Sequence, residues 1–411
     1  MIFHKYFIIT PLYYSFGDSA RQIFWGYARA RQLKKKLIVV EPAKITQLLN
    51  YKICNIPLFQ LNFNYIPTLE DKICKFIVNF LFNSYFILVR SIALLCVHFF
   101  RFRLPEHFFF PEFGLTDAYY LLPSIDFEQL KCNNKLLLSF IHSPPSPSFI
   151  PSLDIKARAQ FNQLIPAGQK YVCLHVRDSS YFSDPSKRPY RNADIDTYID
   201  AIKFLIDKGL FVIRLGNPGM KECTFKHPKY IEYSHSSYKT EILDLILIQN
   251  CFFYVGMQSG PSEIANLFNV PIILTNAIEC MDGLPLKPTD CITLKKRVNL
   301  NSKKYIRADE LLSLDFSEFD PWSKCQDLNH GFVSHSSDQL YIFISNFYRS
   351  LVECNKSTPN SVLNTFFLEW SVKYFDKLTR YEGNFICPSE HSRNARFLQL
   401  LAAKGLVIYP D

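Results

Sequence analysis

The sequence YVCLHVRDSSYF, residues 171–182, is an apolar run that ends in His175, Arg177 and Asp178 instead of a turn. Side chains alternate along an extended strand, so Val172, Leu174 and Val176 share one face and Tyr171, Cys173 and His175 the other. His175 and Arg177 then stand on the same side, two residues apart, where the strand meets its exit loop. A guanidinium in that place offers a planar fork that matches two phosphate oxygens at once. Asp178 can orient Arg177 or take a proton from an acceptor hydroxyl. The plainer alternative is a satisfied core histidine beside an Arg177–Asp178 ion pair.

Three further stretches offer similar chemistry. FFYVGMQSGPSEIANLF, residues 252–268, reads as an apolar strand, a turn with Gly256 and Gly260, and a helix starting near Pro261. Small residues let a ligand approach the backbone, and the exposed N–H groups at a helix start attract anions. Ser259 and Ser262 add hydroxyl donors, while Glu263 could reach a ribose hydroxyl or close a capping box with Ser259 or Gly260. In FVIRLGNPG, Arg214 and Gly216 stand at another strand end, and Tyr238 in the loop YSHSSYK could lie against a nucleotide base. The N-terminal SFGDSARQ, residues 15–22, repeats the glycine-turn-helix logic. There Gly17 and Ser19 could touch phosphate, Arg21 or Asp18 an acceptor sugar, and Asp18 competes with Asp178 as the base.

Regular elements must position these groups. KYFIIT, an amphipathic stretch with Ile23, Tyr27, Ala30 and Leu33 on one face, and LIVVEP predict a βαβ opening with a basic helix end. Residues 76–100 contain no Gly or Pro and one charge, Arg90. Their polar residues, Asn83/Ser84, Arg90/Ser91 and His98, recur every seven positions and gather on one helical face. Three placements remain open: a helix in the membrane interface, a core helix, or a span. HSPPSPSFIPS, residues 142–152, reads as a linker between domains 1–150 and 151–300. Beyond it, strands at 171–176, LFVIRL, YIEYS, CFFYVG and VPIILT alternate with helices near 195–208, 239–249 and 261 onward. That alternation predicts an α/β fold with a mostly parallel sheet covered on both faces. From 301 to 411 the pattern weakens to a mostly helical extension, with EFDPWSKC as a break and helices near 338–353 and 361–377.

Composition narrows the classes. With 411 residues, 48% apolar and 20% charged, the chain suits large cores and more than one domain, and its composition argues against disorder. Its 12 cysteines form no C-x-x-C pair, which predicts reduced, buried thiols in a cytoplasmic protein. The first residues lack the features of a secretory leader. The net charge of +9 is concentrated in two segments, Arg21–Lys36 and Lys295–Lys304, and points to an anionic partner. No aromatic residues alternate with the lysines of 34–36, so a nucleic-acid partner is not expected. There is no P-loop and no G-x-G-x-x-G after the first strand. Asp194 and Asp196 have a D-x-D spacing but sit at a helix start, where they read better as caps than as metal ligands.

His175-Val176-Arg177 with Asp178, PYRNADIDTYIDAI and VGMQSGPSEIANLFNVP together resemble a family of bacterial glycosyltransferases linked with surface-polysaccharide synthesis, itself distantly similar to the fucosyltransferases. The resemblance is best over roughly 165–280. It implies a GT-B architecture: two facing Rossmann-like domains, with a helical insertion at about 70–105 in the first and the helical extension at the C-terminus. It further implies a nucleotide diphosphate-sugar donor on the second domain, a glycan or lipid-linked acceptor on the first, and no metal or other cofactor. Arg177 would hold the diphosphate, His175 support it, and Ser259, Gly260 and Ser262 contact the phosphates. Asp178 and Ser179 follow the arginine where fucosyltransferases commonly carry a second basic residue, so the donor need not be GDP-fucose. The expectation is a cytoplasmic, hexosyl- or fucosyl-type transferase at the inner face of the membrane, with peripheral contact through 76–100. A nucleotide-sugar epimerase and a non-catalytic, membrane-associated assembly protein remain as alternatives.

Overall fold

The computed structural model describes residues 5–11, 16–42, 54–63, 67–100, 147–148, 151–181, 189–278, 290–306, 329–352 and 407–408. The chain opens as strand β1 (Tyr6–Ile9), helix α1 (Phe16–Gln32) and strand β2 (Lys36–Val39), and β1 pairs with β2 in parallel. Ala20, Ile23, Phe24, Tyr27 and Ala30 fall on one face of α1 and are all buried, as the helical period requires. A short antiparallel pair, β3 (Asn62–Phe63) with β4 (Pro147–Ser148), flanks helix α2 (Leu69–Phe100) in the chain. Cys74 and Val78 of α2 pack on Tyr6, Ile38 and Val40.

Helix α3 (Pro151–Leu164) leads into the main unit: β5 (Tyr171–His175), α4 (Ile199–Asp207), β6 (Phe211–Arg214), β7 (Tyr230–Ile231), α5 (Glu241–Asn250), β8 (Phe253–Gly256), α6 (Gly260–Leu267), β9 (Ile272–Ala277) and β10 (Cys291–Leu294). After these come the antiparallel hairpin β11 (Lys296–Asn299) and β12 (His330–Val333), helix α7 (Ser337–Val352) and β13 (Val407–Ile408). Seven strands form one parallel sheet in the order β13-β10-β9-β8-β5-β6-β7. Tyr171 and Cys173 face the cluster built by α1, α3, α5 and α6, whereas Val172, Leu174 and Val176 face the one built by α4 and α7. Burial on both faces explains why these strands read as continuous apolar runs. The chain steps from β5 outward to β6 and β7, then returns to β8 and continues to β9 and β10 on the other side. The strand order therefore reverses between β5 and β8.

The mixed α/β class with a parallel sheet and helices on both faces is as expected. Several details differ. Strands β10, β11, β12 and β13 were not expected, and β12 and β13 fall within the stretch read as a helical extension. YIEYS is extended only at Tyr230–Ile231 before a 3-10 turn at Tyr233–His235. Helix α7 matches the helix near 338–353, while EFDPWSKC and the helix near 361–377 lie outside the described residues. Of the proline-serine stretch, Pro147 and Ser148 pair with β3, and Gln249 donates to the Pro147 carbonyl at 3.0 Å. Elements on either side of residue 150 share one apolar cluster, in which Ile23 and Leu58 pack with Leu243 and Ile264. No helix among the described residues is both long and apolar enough to cross a membrane. The described cysteines, Cys54, Cys74, Cys173, Cys223, Cys251 and Cys291, are free thiols, and all but Cys54 are buried.

Candidate active site

The reversal between β5 and β8 is where an open parallel sheet leaves a crevice at its strand ends. At that place His175 pairs in register with Gly256. His175 is buried, and its Nδ1 lies 3.1 Å from Ser259 Oγ, which is also 3.0 Å from the Met257 carbonyl. A hydroxyl has one hydrogen to give. With that hydrogen on the carbonyl, the imidazole donates through Nδ1 and keeps Nε2 as an acceptor. Burial, reinforced by the charges of Arg214 and Arg177, pulls the His175 pKa down to about 3, so the ring is neutral at physiological pH.

Arg177 is buried just past the tip of β5, and its carbonyl accepts the Ala193 N–H at 2.9 Å. Arg214, at the end of β6, is also buried. Its Nη1 donates to the Lys221 carbonyl at 2.5 Å and to Glu232 at 2.9 Å. It is thus a core ion pair as well as a strand-end cation. Beside it a cavity of about 470 Å³ opens between Asp178, Ser179, Asn192, Asp194, Arg214 and Lys221. Burial acts to raise the Asp178 pKa, but bonds from the Ser180 hydroxyl and from the Ser180 and Lys221 N–H groups outweigh it and hold the carboxyl below its ordinary value. That makes Asp178 a fixed anion and a poor proton acceptor. Gly216 packs on Met220, and Tyr238 sits exposed in its loop with its N–H on Ser236 Oγ.

The neighbouring strand end, that of β8, leads into the start of α6. Ser262 Oγ donates to the Ser259 carbonyl at 2.6 Å and lies 3.4 Å from the Ser259 N–H, so these two serines close the first turn without Glu263. Glu263 instead receives Arg21 of α1 at 3.2 Å. Gly17 lies against Gly260: a Cβ on Gly17 would come within 2.7 Å of the Gly260 Cα. The starts of α1 and α6 therefore touch, and the contacts Gly17–Gly260 and Arg21–Glu263 run the helices side by side in the same direction. Two positive helix ends meet at one point, with Asp18 and Glu263 as the acids of the two first turns. Ser19 is fully buried, its Oγ 3.7 Å from Cys54 Sγ.

Asp194 and Asp196 are occupied in the way the capping reading expects. Asp194 accepts the Asp196 N–H, and Lys221 Nζ lies 2.7 Å from both carboxylates. The described residues contain no cluster of His, Cys, Asp and Glu able to hold a metal ion. The basic run at 295–297, expected to face an anionic partner, is turned inward at two of its three positions. Lys295 and Arg297 are buried, and Lys295 Nζ donates to the carbonyls of Tyr190 at 2.9 Å and Asn192 at 2.6 Å. Burial lowers its pKa to about 8. Arg191, in the loop that Lys295 holds, donates to the Gln258 carbonyl at 2.7 Å. Sequence reasoning missed Lys295 and Arg191 as supports of the site. The one available signal was a lysine directly after an apolar CITL run.

No protein-family model matches the chain, and no curated protein does. Among solved structures it overlaps the ADP-heptose LPS heptosyltransferase II of E. coli at 17% identity and a TM-score of 0.39, over 70% of this chain and 89% of that one. It overlaps a glycosyl transferase family 9 protein of Veillonella parvula DSM 2008 at 10% identity and a TM-score of 0.37, over 71% and 86%. Neither overlap is close enough to transfer a fold or an activity.

Proposed function

We propose that the protein is a glycosyltransferase of GT-B type that moves a sugar from a nucleotide diphosphate-sugar to a glycan or lipid-linked acceptor in surface-glycan synthesis. The observation that carries this reading is the set of groups gathered at the β5–β8 reversal. There Arg177 and a neutral His175 bonded to Ser259 stand beside two abutting helix starts. As the sugar–phosphate bond breaks, its electron pair leaves with the diphosphate, and negative charge grows where these donors and helix ends are already oriented. The acceptor oxygen forms the new bond and gives up its proton to a carboxylate. Asp18, in the first turn of α1 beside the junction, is our choice for that base, since Asp178 is held by three hydrogen bonds. The protein's own cations and dipoles carry the charge in this scheme, so turnover without added metal is expected.

The test is a thermal-shift panel of nucleoside diphosphates and nucleotide sugars, without metal, on wild type and Arg177→Ala. A ligand at 100 times its dissociation constant stabilises by about 2.7 kcal/mol. One base is expected to shift wild type and not the variant. No shift from any nucleotide overturns the reading.

A further inference from the structure

Helix α2 is held to the small sheet by Cys74 and Val78 and by polar bonds, and it leaves a row of large apolar side chains exposed. Asp71, Lys75, Asn79 and Asn83 make polar contacts with β1, β2 and the residue Glu41 that follows them. Asp71 accepts the Tyr6 hydroxyl at 2.7 Å and Lys36 Nζ at 2.8 Å. Asn79 accepts the Glu41 N–H at 3.0 Å, and Asn83 donates to the Glu41 carbonyl at 3.0 Å. Leu69, Ile73, Phe76, Phe80, Leu81 and Leu88 of the same helix are all exposed, with Phe76 at 71% and Phe80 at 62%. Their spacing follows the helical period over 20 residues, a stripe of roughly 28 Å. Rolling the helix to hide that stripe would break these bonds to the small sheet, so the orientation is built in.

We propose that this stripe docks on an anionic lipid surface, lying in the interface parallel to the membrane plane. Charge complementarity selects that occupant. Lys72 is exposed on α2 beside the first turn of the stripe. Lys36 reaches Asp71 in the same turn, so the turn after α1, with Lys34 exposed and Lys35 half-buried, lies at this end too. An apolar helical face with a basic collar matches the acyl boundary and the anionic headgroups of a bilayer together. A second copy docked in parallel would bring two such collars into repulsion.

The experiment is co-sedimentation of the full chain with vesicles of phosphatidylglycerol and phosphatidylcholine, against vesicles of phosphatidylcholine alone. Wild type is expected to bind the anionic vesicles roughly tenfold or more tightly than the neutral ones, as the lysines near the surface should dictate. Phe76→Ser with Phe80→Ser is expected to lose binding to both. Lys34→Glu with Lys72→Glu is expected to lose the preference for anionic vesicles only. These substitutions are at exposed positions, so melting temperatures should stay at the wild-type value. The proposal is overturned if wild type ignores both vesicles, or if the serine variant binds as wild type does. It is also overturned if wild type is a dimer that the serine variant dissolves, with no vesicle binding. The nucleotide thermal shift, read on the same samples, should be unchanged in every variant, so failure here and failure of the transferase reading are separate results.

Discussion

The two glycine turns that open α1 and α6 have the same sequence logic but are built differently. The α6 turn is tied into the sheet from several sides. Ser259 meets His175 on β5, the Gly256 carbonyl accepts Thr275 Oγ1 of β9 at 3.1 Å, and the Gln258 side chain accepts the Ile278 N–H at 3.0 Å. Arg191 then closes over the Gln258 carbonyl. The α1 turn reaches the crevice by leaning on the first, through Gly17 against Gly260 and Arg21 on Glu263. One turn is tied by bonds from neighbouring strands; the other meets it through a helix contact. Under the proposed transferase reading, the side built on α6 should therefore be local and rigid, and the side that carries Asp18 dependent on how α1 seats.

Arg177→Ala is expected to have the largest effect, lowering turnover by roughly 100-fold or more, as loss of a comparable preorganised donor does. Asp18→Asn should also reduce turnover strongly, yet leave the nucleotide thermal shift in place. Steady-state rates with the nucleotide found in the panel check both. If Asp18→Asn abolished nucleotide binding while Arg177→Ala preserved it, the donor and acceptor sides would have to be exchanged.

Acid should expose the same asymmetry. Burial first, then nearby positive charge, holds His175 near 3, and burial holds His335 near 4. Both lie below the ordinary 6.5, so the unfolded chain binds more protons than the folded one as pH falls. Their stabilisation is complete above pH 6.5 and is lost as pH drops toward 4. Each pKa unit is worth about 1.4 kcal/mol, so a loss of about 2 kcal/mol or more is expected by pH 4.5. Asp244, raised by burial, works in the opposite direction near its own lower range. Urea midpoints at pH 7 and pH 4.5 measure the loss, and His335→Gln should flatten part of it. A midpoint that rises on acidification would sink the assignment of neutral, buried histidines.

Much of this was legible because it is local. The alternation of YVCLHVR placed Val172 and Tyr171 on opposite faces, and Gly209, at a φ of +85°, marks the end of α4 where an αL residue was needed. The start of α6 could be read from GPSE at the end of an apolar strand. What stayed hidden depends on distant partners. Nothing near Gly17 says that its missing Cβ makes room for Gly260, which lies 243 residues away. Lys295 looked like one of a solvated basic run, because its partners are carbonyls at 190 and 192 that the fold brings to it. The seven-residue repeat predicted one polar face for α2, yet Asn83 turns to Glu41 while Ser84 is exposed, and the side chains of Arg90 and His98 lie outside those described. β13, two residues long at the far end of the chain, has no period to read.

The smallest predicted effect tests the contact itself. A methyl on Gly17 would stand 2.7 Å from backbone of α6, which cannot rotate away, so the helices must part slightly. Such overpacking costs about 1–3 kcal/mol, against which alanine returns up to about 1 kcal/mol of helix propensity. Gly17→Ala should therefore destabilise by about 1 kcal/mol and disturb turnover more than nucleotide binding, because α1 carries Asp18. Gly260→Ala places its methyl 3.1 Å from the Gly17 nitrogen, a milder approach that a shift of a few tenths of an ångström relieves. Its effect on stability should be close to zero. Denaturation midpoints for the two variants, compared with their rates and nucleotide shifts, separate the cases. Equal costs at both positions would mean that the two turns share the load, and that the bonds around Ser259 do not hold α6 more firmly than the glycine contact holds α1.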